Sequence, residues 1–152
     1  MAVKFVEKDV RSMGRKATGV RGIRLGKGDE VIGLEVARGD ATLLTITENG
    51  YGKRTDMEEY RLIRRGGKGV INIQTSERNG NVVGIKTVMD PDEVMIITKK
   101  GITIRLVANG VSVIGRNTQG VRVIRLKEAD KVASLARVNT NTNQIIKNNN
   151  QV

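Results

Sequence analysis

The chain repeats itself. Met13-Gly14-Arg15-Lys16-Ala17-Thr18-Gly19-Val20-Arg21-Gly22-Ile23-Arg24-Leu25 lies over Ile114-Gly115-Arg116-Asn117-Thr118-Gln119-Gly120-Val121-Arg122-Val123-Ile124-Arg125-Leu126 at an offset of 101 residues, without a gap. The stretch Ile63-Arg64-Arg65-Gly66-Gly67-Lys68-Gly69 falls halfway: Arg65 matches Arg15 and Arg116, Gly69 matches Gly19 and Gly120, and Val70 matches Val20 and Val121. Ile46 to Gly50 over Ile97 to Gly101 sets the same register. A period of 50 to 51 residues divides the chain into three units, about 1–38, 39–88 and 89–138, the first lacking its opening strand. Units of this kind bury their apolar faces only against one another.

Each complete unit reads as short strands and turns. An apolar strand (Thr42 to Thr47; Val94 to Thr98) runs into a hairpin turn at Asn49-Gly50 or Lys100-Gly101. A strand carrying Lys53 and Arg54, or Arg105, follows, then a glycine-cation turn and a strand led by valine. After a last turn, a closing strand spans Val82 to Val88 or Val132 to Val138. Helical periodicity is absent; Thr55 to Tyr60 could make one turn at most. With 18 glycines and one proline, the chain is expected to be all-β, an array of three four-stranded antiparallel blades in one propeller-like domain over 1–138. The Asn-, Thr- and Gln-rich end, Asn139 to Val152, is expected to be a disordered tail.

Charge narrows the function. The chain has 27 Lys+Arg against 16 Asp+Glu, a net charge of +11. An excess of this size points to nucleic acid before an acidic membrane surface or mere solubility. Phe5, Tyr51 and Tyr60 are the only aromatic residues. Binding of single strands needs stacking platforms, whereas binding a duplex by its phosphates does not, so double-stranded DNA is the expected partner. With no cysteine and no histidine, the chain has no disulfide, no Cys/His zinc site, no His base and no Cys nucleophile. No apolar run is long enough for a membrane helix, and a cytoplasmic location is expected.

The glycine-rich stretches fail as nucleotide sites. Gly67-Lys68 precedes Gly69 rather than Ser or Thr, and Leu62 stands where a phosphate-binding loop needs its first glycine. Acid pairs (Asp29/Glu30, Glu58/Glu59, Asp92/Glu93) fall mostly in turns, so neither catalysis nor a cofactor is expected. The cations instead recur: Arg15, Arg65 and Arg116 at one repeat position, Arg21 and Arg122 at another, and Lys4, Arg54 and Arg105 at or near a third. In an array about an axis these form a band on one rim. Lys53, Arg64 and Lys68 join it, with Gly19, Gly66, Gly67, Gly69 and Gly120 letting the loop backbones approach a phosphate. About six to ten phosphate contacts would give a log K against log salt slope of roughly −5 to −9, with little sequence specificity. The competing reading is a protein-interaction propeller whose charge is solubilising.

These residues resemble a known family. Gly50-Tyr51-Gly52-Lys53-Arg54-Thr55, Ile63 to Gly69 and Gly115 to Val121 are similar to the C-terminal domain of the DNA gyrase A subunit, in order and with matching spacing from about Ala2 to Val138. The central heptad resembles the family's Q-R-R-G-G-K-G box, with Ile63 in place of the glutamine; Met13 to Gly19 and Ile114 to Gly120 resemble degenerate copies. The resemblance implies a β-pinwheel, a six-bladed disc whose blades exchange a strand and whose rim wraps duplex DNA in support of negative supercoiling. It implies the remainder of gyrase A and gyrase B as partners and Arg64, Arg65 and Lys68 as box-loop contacts, with Arg15, Lys16 and Arg116 in the copies. Two departures stand out: the chain has three blades, half the usual disc, and its box lies in the middle unit rather than a first blade. Self-association of such half-discs is a further expectation. The family's breakage-reunion tyrosine is not recognisable around Tyr51 or Tyr60. Topoisomerase IV has the nearest related domain.

Overall fold

A computed structural model describes residues 1–138; the expected tail, Asn139 to Val152, lies outside the described residues. The strands are β1 (Thr42–Thr47), β2 (Tyr51–Asp56), β3 (Val82–Val88), β4 (Glu93–Thr98), β5 (Thr103–Val107), β6 (Val121–Arg122) and β7 (Val132–Val138). The fold is all-β, with single 3-10 turns at Glu7–Asp9, Met57–Glu59 and Ala108–Gly110, one per unit at equivalent positions. No helix among the described residues is long and apolar enough to cross a membrane.

The expected hairpins form. β1 pairs antiparallel with β2 and with β3, and β4 pairs likewise with β5 and β7. Both opening strands are rich in β-branched side chains, which suit a pleated surface packed on both sides. β1 is buried from Leu43 to Thr47, whereas β5 alternates between exposed and half-buried residues. That difference has a topological cause. The fourth strand of the first sheet, in order β3-β1-β2-β6, is not the valine-led strand of its own unit. It is β6, contributed by the next unit, with Gly52 opposite Val121 and Tyr51 opposite Arg122. The valine-led stretch of the middle unit moves back in the same way, so that Ala2 and Val70 exchange two backbone hydrogen bonds of 2.8 Å. Four strands therefore come from two units, by the exchange that the resemblance implied. Among the described residues the sheet β5-β4-β7 receives no such strand and has three.

The core lies between units. Leu44, Ile46 and Val88 of the middle unit pack with Val94, Ile96, Ala108, Val111, Ile124 and Val132 of the third. A second cluster joins Leu43, Met57 and Tyr60 to Ala2, Val70 and Ile85. Closing strands also stack: a Cβ on Gly84 would sit 2.1 Å from Leu135 Cδ2, and one on Gly33 would sit 3.1 Å from Ile85 Cγ1. At Gly84 only a residue without a side chain lets the next unit's aliphatic group settle there, and at Gly33 the fit is tight.

Candidate nucleic-acid interface

The loop 63–69 is pinned to the preceding unit by its own backbone. The Gly66 amide donates to the Gly22 carbonyl (2.6 Å), and the Arg24 amide donates to the Gly67 carbonyl (2.8 Å). One unit later the Gln74 amide donates to the Thr118 carbonyl at 2.8 Å, the same bond moved along the repeat. Gly69 and Gly120 adopt φ of +79° and +78°. A Cβ on Gly69 would lie 2.2 Å from the Ala2 carbonyl oxygen, and one on Gly120 would lie 2.7 Å from that of Gly52. Glycine is required there twice over, for its left-handed backbone and for the approach of a neighbouring strand. Gly19 has the same left-handed φ, +84°, yet meets nothing within 4 Å. Gly66 is left-handed too (+81°), while Gly67 is not.

This geometry divides the expected cations into two classes. Arg65 is half-buried and turned inward; its Nε donates to the Asp9 carbonyl (2.9 Å) and its Nη1 to the Arg21 carbonyl (3.2 Å). Arg116 repeats that contact, with Nη1 donating to the Ile71 carbonyl (2.8 Å), Glu59 4.0 Å away and the Tyr60 ring 5.9 Å from its Cζ. These arginines tie one unit to the one before. Arg64 and Lys68, their neighbours, are exposed, as are Arg15, Lys16, Arg21 and Arg122.

Lys53 and Arg54, expected on the cationic band, lie inside instead. Lys53 has 0% exposure, and its Nζ donates to the Gly115 and Arg116 carbonyls at 2.6 Å each. Burial, helped by the nearby Arg116 charge, lowers its pKa to about 8. Arg54 is 5% exposed, donates from Nε to the Val111 carbonyl (2.8 Å) and pairs with Asp90. The cause is strand exchange: the loop 111–116 of the third unit runs along the free edge of β2, as the Arg54 to Ser112 and Ile114 to Arg54 backbone bonds record, and the two side chains, on opposite faces of the strand, both reach its carbonyls. Arg105, the counterpart of Arg54, has no following unit over it; it stays largely exposed and pairs with Glu93. None of these three presents an uncommitted charge.

One cluster escaped the repeat comparison. Arg122 and Arg78 flank the Tyr51 ring at 5.4 and 4.8 Å, and Arg122 donates to the Tyr51 hydroxyl at 2.9 Å. The two guanidiniums, Arg122 first, lower the hydroxyl's pKa. Arg78 is exposed beside the Asn79-Gly80 turn. Its equivalent in the third unit is Glu128, so recurrence gave no signal for it. Exposed cations thus include Arg64, Lys68, Arg78 and Arg122 on and beside the exchanged loops, with Arg15, Lys16 and Arg21 on the first. Multiple guanidinium and ammonium groups with no carboxylate partner among the described residues suit a polyanion.

A family model described as DNA gyrase C-terminal domain, beta-propeller, matches residues 1–38, 41–89 and 92–139. The chain is 53% identical over 136 residues to the DNA gyrase A subunit of Escherichia coli (strain K12), a stretch covering 90% of this chain and 16% of that protein. It is 49% identical over 138 residues to the DNA gyrase A subunit of Staphylococcus aureus (strain MRSA252), with the same coverage. The chain therefore spans 16% of the length of these relatives. Among solved structures, a DNA gyrase A C-terminal domain superposes with a TM-score of 0.82 at 31% identity, over 89% of this chain and 46% of that one. The C-terminal domain of a DNA topoisomerase IV shares the fold, with a TM-score of 0.85 at 21% identity over 97% of this chain and 48% of that one.

Proposed function

Because the chain belongs to the DNA gyrase C-terminal domain family, we propose that it is a non-catalytic module that binds and wraps duplex DNA along a cationic rim. On this reading it serves the gyrase A protein in the bacterial cytoplasm, working with the remainder of that protein, gyrase B and DNA in negative supercoiling. The observation that supports it most directly is the outward set Arg64 and Lys68 on the loop 63–69. Their backbone is fixed by bonds to the preceding unit, so their charges are presented without a large ordering cost. Arg15, Lys16, Arg21 and Arg122 extend the band; Arg65 and Arg116 hold the loops in place, and Lys53 and Arg54 brace them from inside.

The test is a salt titration of binding to linear duplexes of unrelated sequence. Each phosphate contact contributes about −0.9 to the log–log slope, so a double reversal, Arg64→Glu with Lys68→Glu, should flatten the slope by about two and weaken all sequences alike. Affinity indifferent to salt, or unchanged in the double variant, would overturn the proposal and favour a protein-binding propeller.

A further inference from the structure

Three elements bring Tyr51, Arg78 and Arg122 to one place. Tyr51 opens β2, Arg122 lies opposite it on the exchanged strand β6, and Arg78 sits in the turn before β3. That turn is fastened on both sides. Asn49 Nδ2 donates to the carbonyls of Glu77 (3.1 Å) and Arg78 (3.2 Å), and the Asn49 amide donates to the Asn79 carbonyl (3.2 Å). Asn79, with 0% exposure, donates from Nδ2 to the Gln74 carbonyl (2.8 Å) and to the Gln119 carbonyl (2.9 Å) of the segment that leads into β6. One buried amide therefore holds the turn of Arg78 to the strand of Arg122.

The charges gathered there are of one sign. Arg78 Cζ and Arg122 Cζ lie 4.8 and 5.4 Å from the centre of the Tyr51 ring, so two cations share one ring. Neither has a carboxylate partner among the described residues. The ring face attracts each cation, and the hydroxyl accepts from Arg122 at 2.9 Å, but a neutral ring has no net charge to offset the repulsion between them. A phosphate has that charge, and its oxygens can accept from two guanidinium forks at once. Tyr51 is only 6% exposed, too deep to stack on a base, so its part is to hold the arginines. One unit earlier Ile71 stands at the position of Arg122, so the cluster marks the joint between the middle and third units.

We propose that Arg78 and Arg122 form a phosphate clamp, holding one backbone phosphate of a bound duplex between their guanidiniums, with Tyr51 as the positioning residue beneath them. The clamp rests on the DNA-binding reading and adds a fixed point to it. Loop cations that recur from unit to unit do not say where along the array a duplex sits, whereas a contact present at one joint sets its register.

Duplex binding across a range of salt concentrations, arranged as a double-mutant cycle, tests the clamp. Arg78→Gln and Arg122→Gln alter exposed side chains, so circular dichroism should be unchanged, and each should flatten the log–log slope by about 0.9. Because one phosphate needs both arginines, the double variant should lose less affinity than the product of the two single losses, by about threefold or more. Tyr51→Phe keeps the ring and removes the hydroxyl; it should weaken binding about threefold at the parent's slope, since no cation is lost. Tyr51 and Tyr60 are the only tyrosines, so isotope-labelled tyrosine gives a local signal by nuclear magnetic resonance: duplex should move the Tyr51 ring resonances in the parent and not in the double variant. A single arginine variant that keeps the parent slope, losses that simply multiply, Tyr51→Phe binding like the parent, or a Tyr51 signal that stays still would each overturn the clamp and leave the DNA-binding reading standing. A parent that binds no duplex would overturn both.

Discussion

Lys53 provides a test of the internal bracing that has nothing to do with a ligand. Its ammonium is fully buried, and burial is the largest influence lowering its pKa from 10.5 to about 8. A lysine whose folded value lies below its unfolded value binds fewer protons when folded between the two. Stability therefore rises with pH from about 8 to about 10.5, and the cost of the buried charge is present in full below that window. The gap corresponds to about 3 kcal/mol. The carbonyls of Gly115 and Arg116, each 2.6 Å away, favour the charged form, so a rise of about 1–3 kcal/mol is expected. Lys53→Met keeps the volume and removes the titration. Both carbonyls retain a second donor, Thr118 Oγ1 at 3.1 Å and the Thr118 amide at 2.9 Å. The variant should thus lie within about 1 kcal/mol of the parent near neutral pH, as replacement of buried charge often does. Urea unfolding followed by circular dichroism, between about pH 7 and pH 10, should show the parent gaining on Lys53→Met by about 2 kcal/mol. Tyr51, whose pKa is also lowered, adds a rise of the same sign, so both proteins should carry Tyr51→Phe. A parent-to-variant difference that stays flat over this range would refute the buried-charge argument.

Four other outcomes follow from named contacts. Gly69→Ala combines a left-handed φ with a Cβ 2.2 Å from the Ala2 carbonyl oxygen and should cost at least about 3 kcal/mol, whereas Gly19→Ala, strained but unobstructed, should cost only about 1–2 kcal/mol in dilute solution; equal losses in thermal or urea unfolding would remove the strand contact from the account. Arg116→Met deletes the bond to the Ile71 carbonyl and should lower stability by about 1–3 kcal/mol, while Arg64→Met, on an exposed side chain, should change it by less than about 0.5 kcal/mol. Gly84→Ala should destabilise by about 1–3 kcal/mol through overpacking against Leu135, and shrinking that neighbour with Leu135→Ala should recover part of the loss in a double-mutant cycle. Burial raises the Tyr60 hydroxyl to about 12, so folded protein loses stability as pH climbs from about 10 to 12; Tyr60→Phe should escape that loss, and parallel pH curves would count against it.

Much of the architecture was legible because a repeat reports equivalence. The closing strands Val82–Val88 and Val132–Val138 and the opening strand Thr42–Thr47 stand where the sequence comparison places them, and the one-turn expectation at Met57–Glu59 is met by a 3-10 turn. Recurrence does not report which edge of a strand the next unit covers. Lys53 and Arg54 carried the signature of a basic strand, yet strand exchange lays residues 111–116 along its edge, a fact of connectivity that alternation cannot encode. Arg64 and Arg65 show the same limit at closer range. They are adjacent and chemically identical, and the loop backbone turns one outward and the other onto the Asp9 and Arg21 carbonyls. Arg78 was missed for the opposite reason: it does not recur, and only the folded turn brings it over Tyr51.

The division of labour within one loop bears on how a rim of this kind could bend a stiff polymer. Bending a duplex of 20–30 base pairs costs about 1–6 kcal/mol, and the reaction falls on whatever holds the contacting loops. A loop held only by its own turn would yield before the DNA did. Here the loop 63–69 is held to the preceding unit by an inward arginine with two carbonyl acceptors and by two further backbone bonds. Hydrogen bonds to a charged donor are worth about 1.5–3 kcal/mol each and neutral ones about 1 kcal/mol, so the joint under this loop is of the size of the load that a wrapped segment would place on it. The acceptors that Arg65 and Arg116 use are backbone carbonyls, which do not titrate and are weakly sensitive to salt. On the proposed reading, conditions that release DNA from Arg64 and Lys68 would therefore leave the joints beneath them intact. If the surface binds DNA as proposed, a strongly salt-dependent contact would thus sit on joints that are not, and the module would let go of its ligand without losing its shape.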